Sequence, residues 1–174
     1  AAGADQVSAR PLKDSYLQAL RAVLRQPQLD PAFKALVLKL PDEDYIADQL
    51  DVVDPQRIHA VRDAMQRQLA TALRDDWQWA WEQHHDTGAY RPDPHSSGRR
   101  ALAGLALAML CLAASEQGDS VWPGKAYQRV KDAGNMTDRL NALGALVDSG
   151  HALAARALVQ FHRLFRDEPL ALDK

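Results

Sequence analysis

The sequence predicts an all-α chain of about eight helices, paired as antiparallel hairpins in an α-solenoid, or superhelical, arrangement. Three observations lead there. Helix starts are written as aspartate followed by proline, at Asp30-Pro31 and Asp54-Pro55. The aspartate accepts from the first free N–H groups, and a missing proline N–H costs nothing at the first helical position. Apolar residues recur at steps of three and four, as one helical face requires. Sustained alternation of β-branched residues, the mark of strands, does not occur.

Taken in order, short helices are expected over Leu12 to Gln26, Asp30 to Leu38 and Asp42 to Leu50. A long helix follows from about Pro55 to His85. Its apolar stripe reads Ile58, Val61, Met65, Leu69, Leu73, Trp77, Trp81, with arginines and acids on the other face. The stretch DTGAYRPDPHSSG, residues 86–98, is rich in Gly, Pro, Ser and Asp and reads as a loop inside the fold. The Ala/Leu-rich segment Arg99 to Glu116 is the next helix. Pro123 to Ala133, Met136 to Asp148 and His151 to Arg166 complete the series. Short Gly-containing links suit antiparallel neighbours, so residues 1–174 form a single helical domain of HEAT/armadillo-like kind. No fixed-period tetratricopeptide or ankyrin pattern is present. Residues 1–10 are expected to be poorly ordered. The closing DEPLALDK stops within an unfinished apolar pattern, as expected of part of a larger domain.

Composition narrows the function. With 21 basic and 23 acidic residues the net charge is -2, and no basic run offers a nucleic-acid surface. No nucleic-acid partner is expected. The apolar run ALAGLALAMLCLAA is bracketed by Arg99-Arg100 and Glu116. It is shorter than the ~18–20 residues a bilayer span needs, so a protein-buried helix is expected rather than a membrane one. One cysteine, Cys111, leaves no internal disulfide and fits a reducing compartment. The first residues lack the apolar core of a signal peptide.

Few residues look like chemistry. His84, His85 and Asp86 could supply metal ligands, but adjacent helical residues point about 100° apart, and favourable interaction with the helix's negative end explains the histidines without a metal. No His-Glu-x-x-His is present. Trp77 and Trp81 share the apolar face and read as core. Trp79 faces elsewhere and is expected to meet a neighbouring helix or domain. Cys111 reads as a buried small hydrophobe. Arg99 and Arg100 open their helix against the macrodipole, which leaves either an acidic partner or a solvated pair. In GNMTDRLNALGALV, the residues Asn135, Met136, Thr137 and Asp138 match a glycosylation acceptor pattern and also a capping box. The cap reading has Asn135 as N-cap and Asp138 three residues on.

The run KDAGNMTDRLNALGALV resembles a signature segment in the C-terminal helical domain of bacterial aminopeptidase N, the zinc-dependent monometallo-aminopeptidases. SYLQALRAVLRQPQLDPAFKALVL, LVLKLPDEDYIADQLDVVDPQRIHAVRDAMQRQLA and FHRLFRDEPLALDK are similar to that domain in the same order. The resemblance implies a non-catalytic piece of a cytoplasmic metallopeptidase that hydrolyses residues from peptide N-termini. It further implies that an upstream catalytic domain of the same polypeptide holds the zinc, while this part covers and shapes the chamber for the peptide substrate. No catalytic, cofactor-binding or metal-binding residue carries over, because no position matches one. Residues Asn135 to Asp138 then mark family identity as a structural helix cap. Surfaces normally covered by the rest of the polypeptide imply weak self-association. The rival expectation is a free-standing α-solenoid scaffold for protein partners.

Overall fold

The structure is a computed structural model and describes residues 10–173. The expectation for residues 1–10 therefore lies outside the described residues, apart from Arg10. Ten helices occur among the described residues, and no strand. They are α1 (Asp14–Arg25), α2 (Pro31–Leu38), α3 (Glu43–Ala47), α4 (Pro55–Ala72), α5 (Arg74–His84), α6 (Pro94–Gln117), α7 (Val121–Asp132), α8 (Met136–Asp148), α9 (Leu153–Phe165) and α10 (Pro169–Leu172).

The aspartates do what their positions demand. Asp30 accepts from Ala32 N and Phe33 N, Asp42 from Tyr45 N, and Asp54 from Arg57 N. A third Asp-Pro start operates at Asp93-Pro94, where Asp93 accepts from Ser96 N. Helix α6 thus begins at Pro94, and residues 94–98, expected in the loop, are helical. The Gly, Ser and Pro that argued for a loop are all compatible with a first helical turn.

The long helix expected over Pro55 to His85 is two helices. The chain breaks at Leu73 (φ -112°, ψ 23°), which is fully buried. No proline or glycine marks the place. The bend lets the Trp77 indole N–H donate to Leu69 O at 3.2 Å, so a buried ring satisfies its own donor. This break and the terminal turn α10 raise the expected eight helices to ten.

Helix α6 is the centre of the molecule and packs against α2, α4, α5, α7 and α8. Leu102, Ala106, Leu110, Cys111, Ala113 and Ala114 along it are fully buried. Length and composition alone would let α6 cross a membrane, but 67% of its most apolar stretch is buried inside the protein. Helices two apart in sequence touch, α4 with α6, α6 with α8 and α7 with α9. That is the layering of a solenoid, in which each hairpin buries its face on the next. At the other end, α1 is clamped onto α5. Asp76 accepts from Arg21 Nε and Arg25 Nε, both at 2.8 Å. Desolvation pushes the Asp76 carboxyl up, and the two guanidinium groups outweigh it, holding the pKa below the usual value.

Candidate functional site

A groove of about 960 Å³ is bordered by α2, α4, α6 and α8. Its floor is the small-residue face of α6, Ala101, Gly104, Leu105 and Ala108. Gly104 leaves room there for Asn141 of α8, whose Nδ2 would stand 2.4 Å from an added Cβ and would have to shift. One wall, from α4, carries His59, Arg62, Asp63, Gln66 and Arg67. The opposite wall, from α8, carries Leu140, Asn141, Gly144 and Asp148.

Most of the charge in the groove is already engaged. Arg67 Nε binds Asp63 at 2.8 Å, and its Nη1 reaches Glu116 on α6. His59 Nδ1 lies 2.8 Å from Glu43. Arg62 Nε donates to Pro41 O at 2.7 Å. Desolvation on the groove wall raises the Asp148 carboxyl pKa above its usual value, and the charge of Arg62 across the groove opposes that. The groove therefore offers binding groups, amides and fixed charges, rather than a paired nucleophile and base.

The residues singled out in the sequence lie elsewhere and are largely structural. His85 stacks on Trp81 at 3.9 Å, with Nδ1 3.0 Å from Trp81 O, at the carboxyl end of α5. His84 turns to the other side, edge-on to Trp79 at 6.4 Å. Asp86 accepts from Gly88 N. The three side chains do not converge, and no group of three or more His, Cys, Asp or Glu among the described residues could hold a metal ion. The donor set does not fit zinc.

For His84 the sequence reading needs correction. Burial, with Arg99, Lys34 and His95 nearby, holds its pKa at about 4, below its ordinary 6.5. The ring is neutral at pH 7, so it cannot serve the helix end as a cation. A folded-state pKa below the unfolded one contributes stability that is complete above pH 6.5 and is lost as pH falls toward 4. Thermal melts across that window should show a falling Tm, and His84→Gln should flatten the fall. An unchanged slope in the variant would place the effect on other groups.

Trp77 is fully buried. Trp81 meets Trp122 edge-on at 5.2 Å. Trp79 leaves its own helix to meet the Arg25 guanidinium of α1 at 4.4 Å. Cys111 is fully buried, its thiol pKa pushed up to about 12, and has no thiolate character at neutral pH. Neither Arg99 nor Arg100 makes an ion pair among the described residues, and of the two only Arg99, which is half-buried, keeps part of the solvated role considered for the pair. Arg99 donates to Gln83 O at 3.0 Å. Arg100, only 8% exposed, donates to Arg91 O and Ser97 Oγ and lies on the Tyr90 ring. Because α6 starts at Pro94, both sit past its first turn, where Arg99 reaches a carbonyl in the last turn of α5 and Arg100 one in the preceding loop.

Asn135 takes the N-cap geometry (φ -146°, ψ 158°), and its Oδ1 accepts from Asp138 N at 2.9 Å. Asn135 Nδ2 donates to Asp138 Oδ2, which Arg129 of α7 also binds at 2.8 Å. Met136 packs on the core, and Thr137 is exposed. Arg139, next along, donates to the carbonyls of Val130, Lys131 and Ala133 that close α7. These polar side chains join one helix end to the next start, and a cap of this type contributes about 1 kcal/mol.

Residues 2–174 match the family model described as "Domain of unknown function (DUF3458_C) ARM repeats". The chain belongs to this ARM-repeat family. It is 33% identical to aminopeptidase N of Caulobacter vibrioides over 162 residues, 93% of this chain and 18% of that protein. Aminopeptidase N of Escherichia coli K12 is 30% identical over 156 residues, 90% of this chain and 17% of its own length. The crystal structure of Legionella pneumophila aminopeptidase A in complex with aspartic acid superposes with a TM-score of 0.75 at 21% identity. It covers 92% of this ARM-repeat chain and 19% of the Legionella one. That likeness carries the fold. The chain spans about a fifth of the length of these relatives.

Proposed function

We propose that this ARM-repeat chain is a non-catalytic, C-terminal part of a cytoplasmic zinc-dependent aminopeptidase, and that its grooved face borders the chamber through which peptides reach the active site. The observation that carries the reading is the 33% identity with aminopeptidase N across 93% of the chain. The groove supports it, since a solenoid presents an extended concavity to whatever lies against it. Zinc and peptide-bond hydrolysis belong, in this reading, to a catalytic domain of the same polypeptide, because the donor set among the described residues does not fit the metal.

The isolated chain should neither hydrolyse aminoacyl anilides nor retain stoichiometric zinc in elemental analysis. One tightly held zinc per chain, with turnover lost on chelation, would sink the proposal. The reading frame upstream of Ala1 should encode His-Glu-x-x-His; a start codon directly before Ala1 would favour a free-standing scaffold.

A weak self-association through α9 and α10 forms part of the proposal. Leu158 is 49% exposed and Leu170 84%, with Val159 and Leu164 also open. Exposed apolar side chains at this end, outside a larger assembly, invite contact with a second copy. Sedimentation velocity should show weight-average mass rising with concentration for the parent chain and not for Leu158→Glu. A constant monomer mass across the range would remove this part.

A further inference from the structure

We propose that the groove and an adjoining apolar pocket form one binding surface for an extended peptide segment bearing a bulky apolar side chain away from its termini. This deepens the function proposed above and rests on it in taking the ligand to be a peptide.

The pocket, about 690 Å³, lies between α3, α4 and the chain joining them. It is lined by Ile46, Leu50, Val52, Ile58, Val61 and Met65. Val52 is 84% exposed and Leu50 47%, so its mouth is an open apolar surface. Leu40 and Arg62 line both the pocket and the groove, which makes the two continuous. Pinned to Pro41 O, Arg62 stands at the junction.

The groove's chemistry fits a polypeptide backbone. An extended backbone carries alternating N–H donors and C=O acceptors, and side-chain amides can meet both. Asn141, on the α8 wall, leans against Gly104 of the floor and makes no hydrogen bond among the described residues. On the opposite wall, Gln66 uses only its oxygen, which accepts from Arg62. The lining is charge-balanced, Lys39, Arg62 and Arg67 against Glu43, Asp63 and Asp148. A balanced, dipolar lining suits an uncharged backbone better than a polyanion. The backbone would lie along the groove past Asn141 and Gln66. One apolar side chain would enter the α3–α4 pocket, where burial supplies most of the affinity and sets the preference.

The test is fluorescence polarisation with the whole 174-residue chain. The probe is a dye-labelled glycine-serine peptide with one central phenylalanine and with blocked ends. Blocked ends remove any contribution from recognition of a free amino terminus, so the result stands apart from the fate of the aminopeptidase reading. Saturable binding is expected. A serine in place of the phenylalanine should weaken it roughly tenfold, from the lost apolar burial. Leu50→Asp, at an exposed position, should do the same, and Asn141→Ala should weaken binding by roughly threefold. Far-ultraviolet circular dichroism checks that both variants fold. Absence of saturable binding up to millimolar peptide, or affinity unchanged by both variants, would overturn the proposal. A concentration-dependent dimer dispersed by Leu50→Asp would also overturn it, assigning the pocket to a second copy of the chain.

Discussion

Trp77→Ala should lower the Tm by roughly 10 °C or more, the largest single effect anticipated in this chain. Trp77 is fully buried where α5 leaves α4, and its indole N–H is bonded to Leu69 O. Truncation removes the ring from the core and opens a cavity beside Leu69 and Leu73, both also fully buried. Changes of this kind cost about 3–5 kcal/mol. The Leu69 carbonyl keeps its bond from Leu73 N at 3.1 Å, so the loss is mainly one of packing. Trp77→Phe keeps most of the volume and should recover over half of the stability. Equal losses in the two variants, measured by thermal melting or urea denaturation, would mean that the indole hydrogen bond dominates instead.

Gly98→Ala should destabilise the protein although it improves intrinsic helix propensity. Alanine in place of glycine within a helix normally gains about 1 kcal/mol. At Gly98, however, an added Cβ would stand 2.9 Å from Ala32 N and 3.1 Å from Ala32 Cβ. The obstructing atom is backbone and cannot swing aside. It also donates to Asp30 Oδ1 at 2.8 Å, so displacing α2 disturbs the cap that starts it. Overpacking of this sort costs about 1–3 kcal/mol, which outweighs the propensity gain. Gly124→Ala, in α7, is the control, since nothing lies within 4 Å of an added Cβ there. It should raise the Tm slightly. Parallel urea denaturation of the two variants gives the comparison; stabilisation by both would show that α2 and α6 can separate without cost.

The two substitutions divide what could be read in the chain from what could not. The all-α class, the three-four apolar stepping and the aspartate starts at Asp30 and Asp54 were legible, because caps and amphipathic faces are local and their residues lie within one turn. Asp93-Pro94 carries the same signal and was masked by the Gly, Ser and Pro around it. The break at Leu73 left no local mark. It exists because Trp77 and Leu69 are both buried, and only the assembled core decides that.

Likewise for the groove. Arg62, Gln66, Asn141 and Asp148 lie on two helices far apart in sequence; Asn141 falls within the signature segment and Arg62 and Gln66 within another resembling run, but nothing local marks any of them as facing a groove. The small residues Ala101, Gly104 and Ala108 were visible as part of an apolar run, but not as the floor of a concavity. The residues that drew attention, His84, His85, Arg99 and Arg100, were noticed because they are chemically versatile, and packing gave them structural partners. Sequence by itself determined the helical class and, through the order of its resembling segments, the kinship with aminopeptidase N. Tertiary structure alone decided where the chain bends, which glycines are closely approached by a neighbouring helix and which side chains face the groove. Those properties depend on contacts between helices, and the distance between helices is not encoded in any one of them.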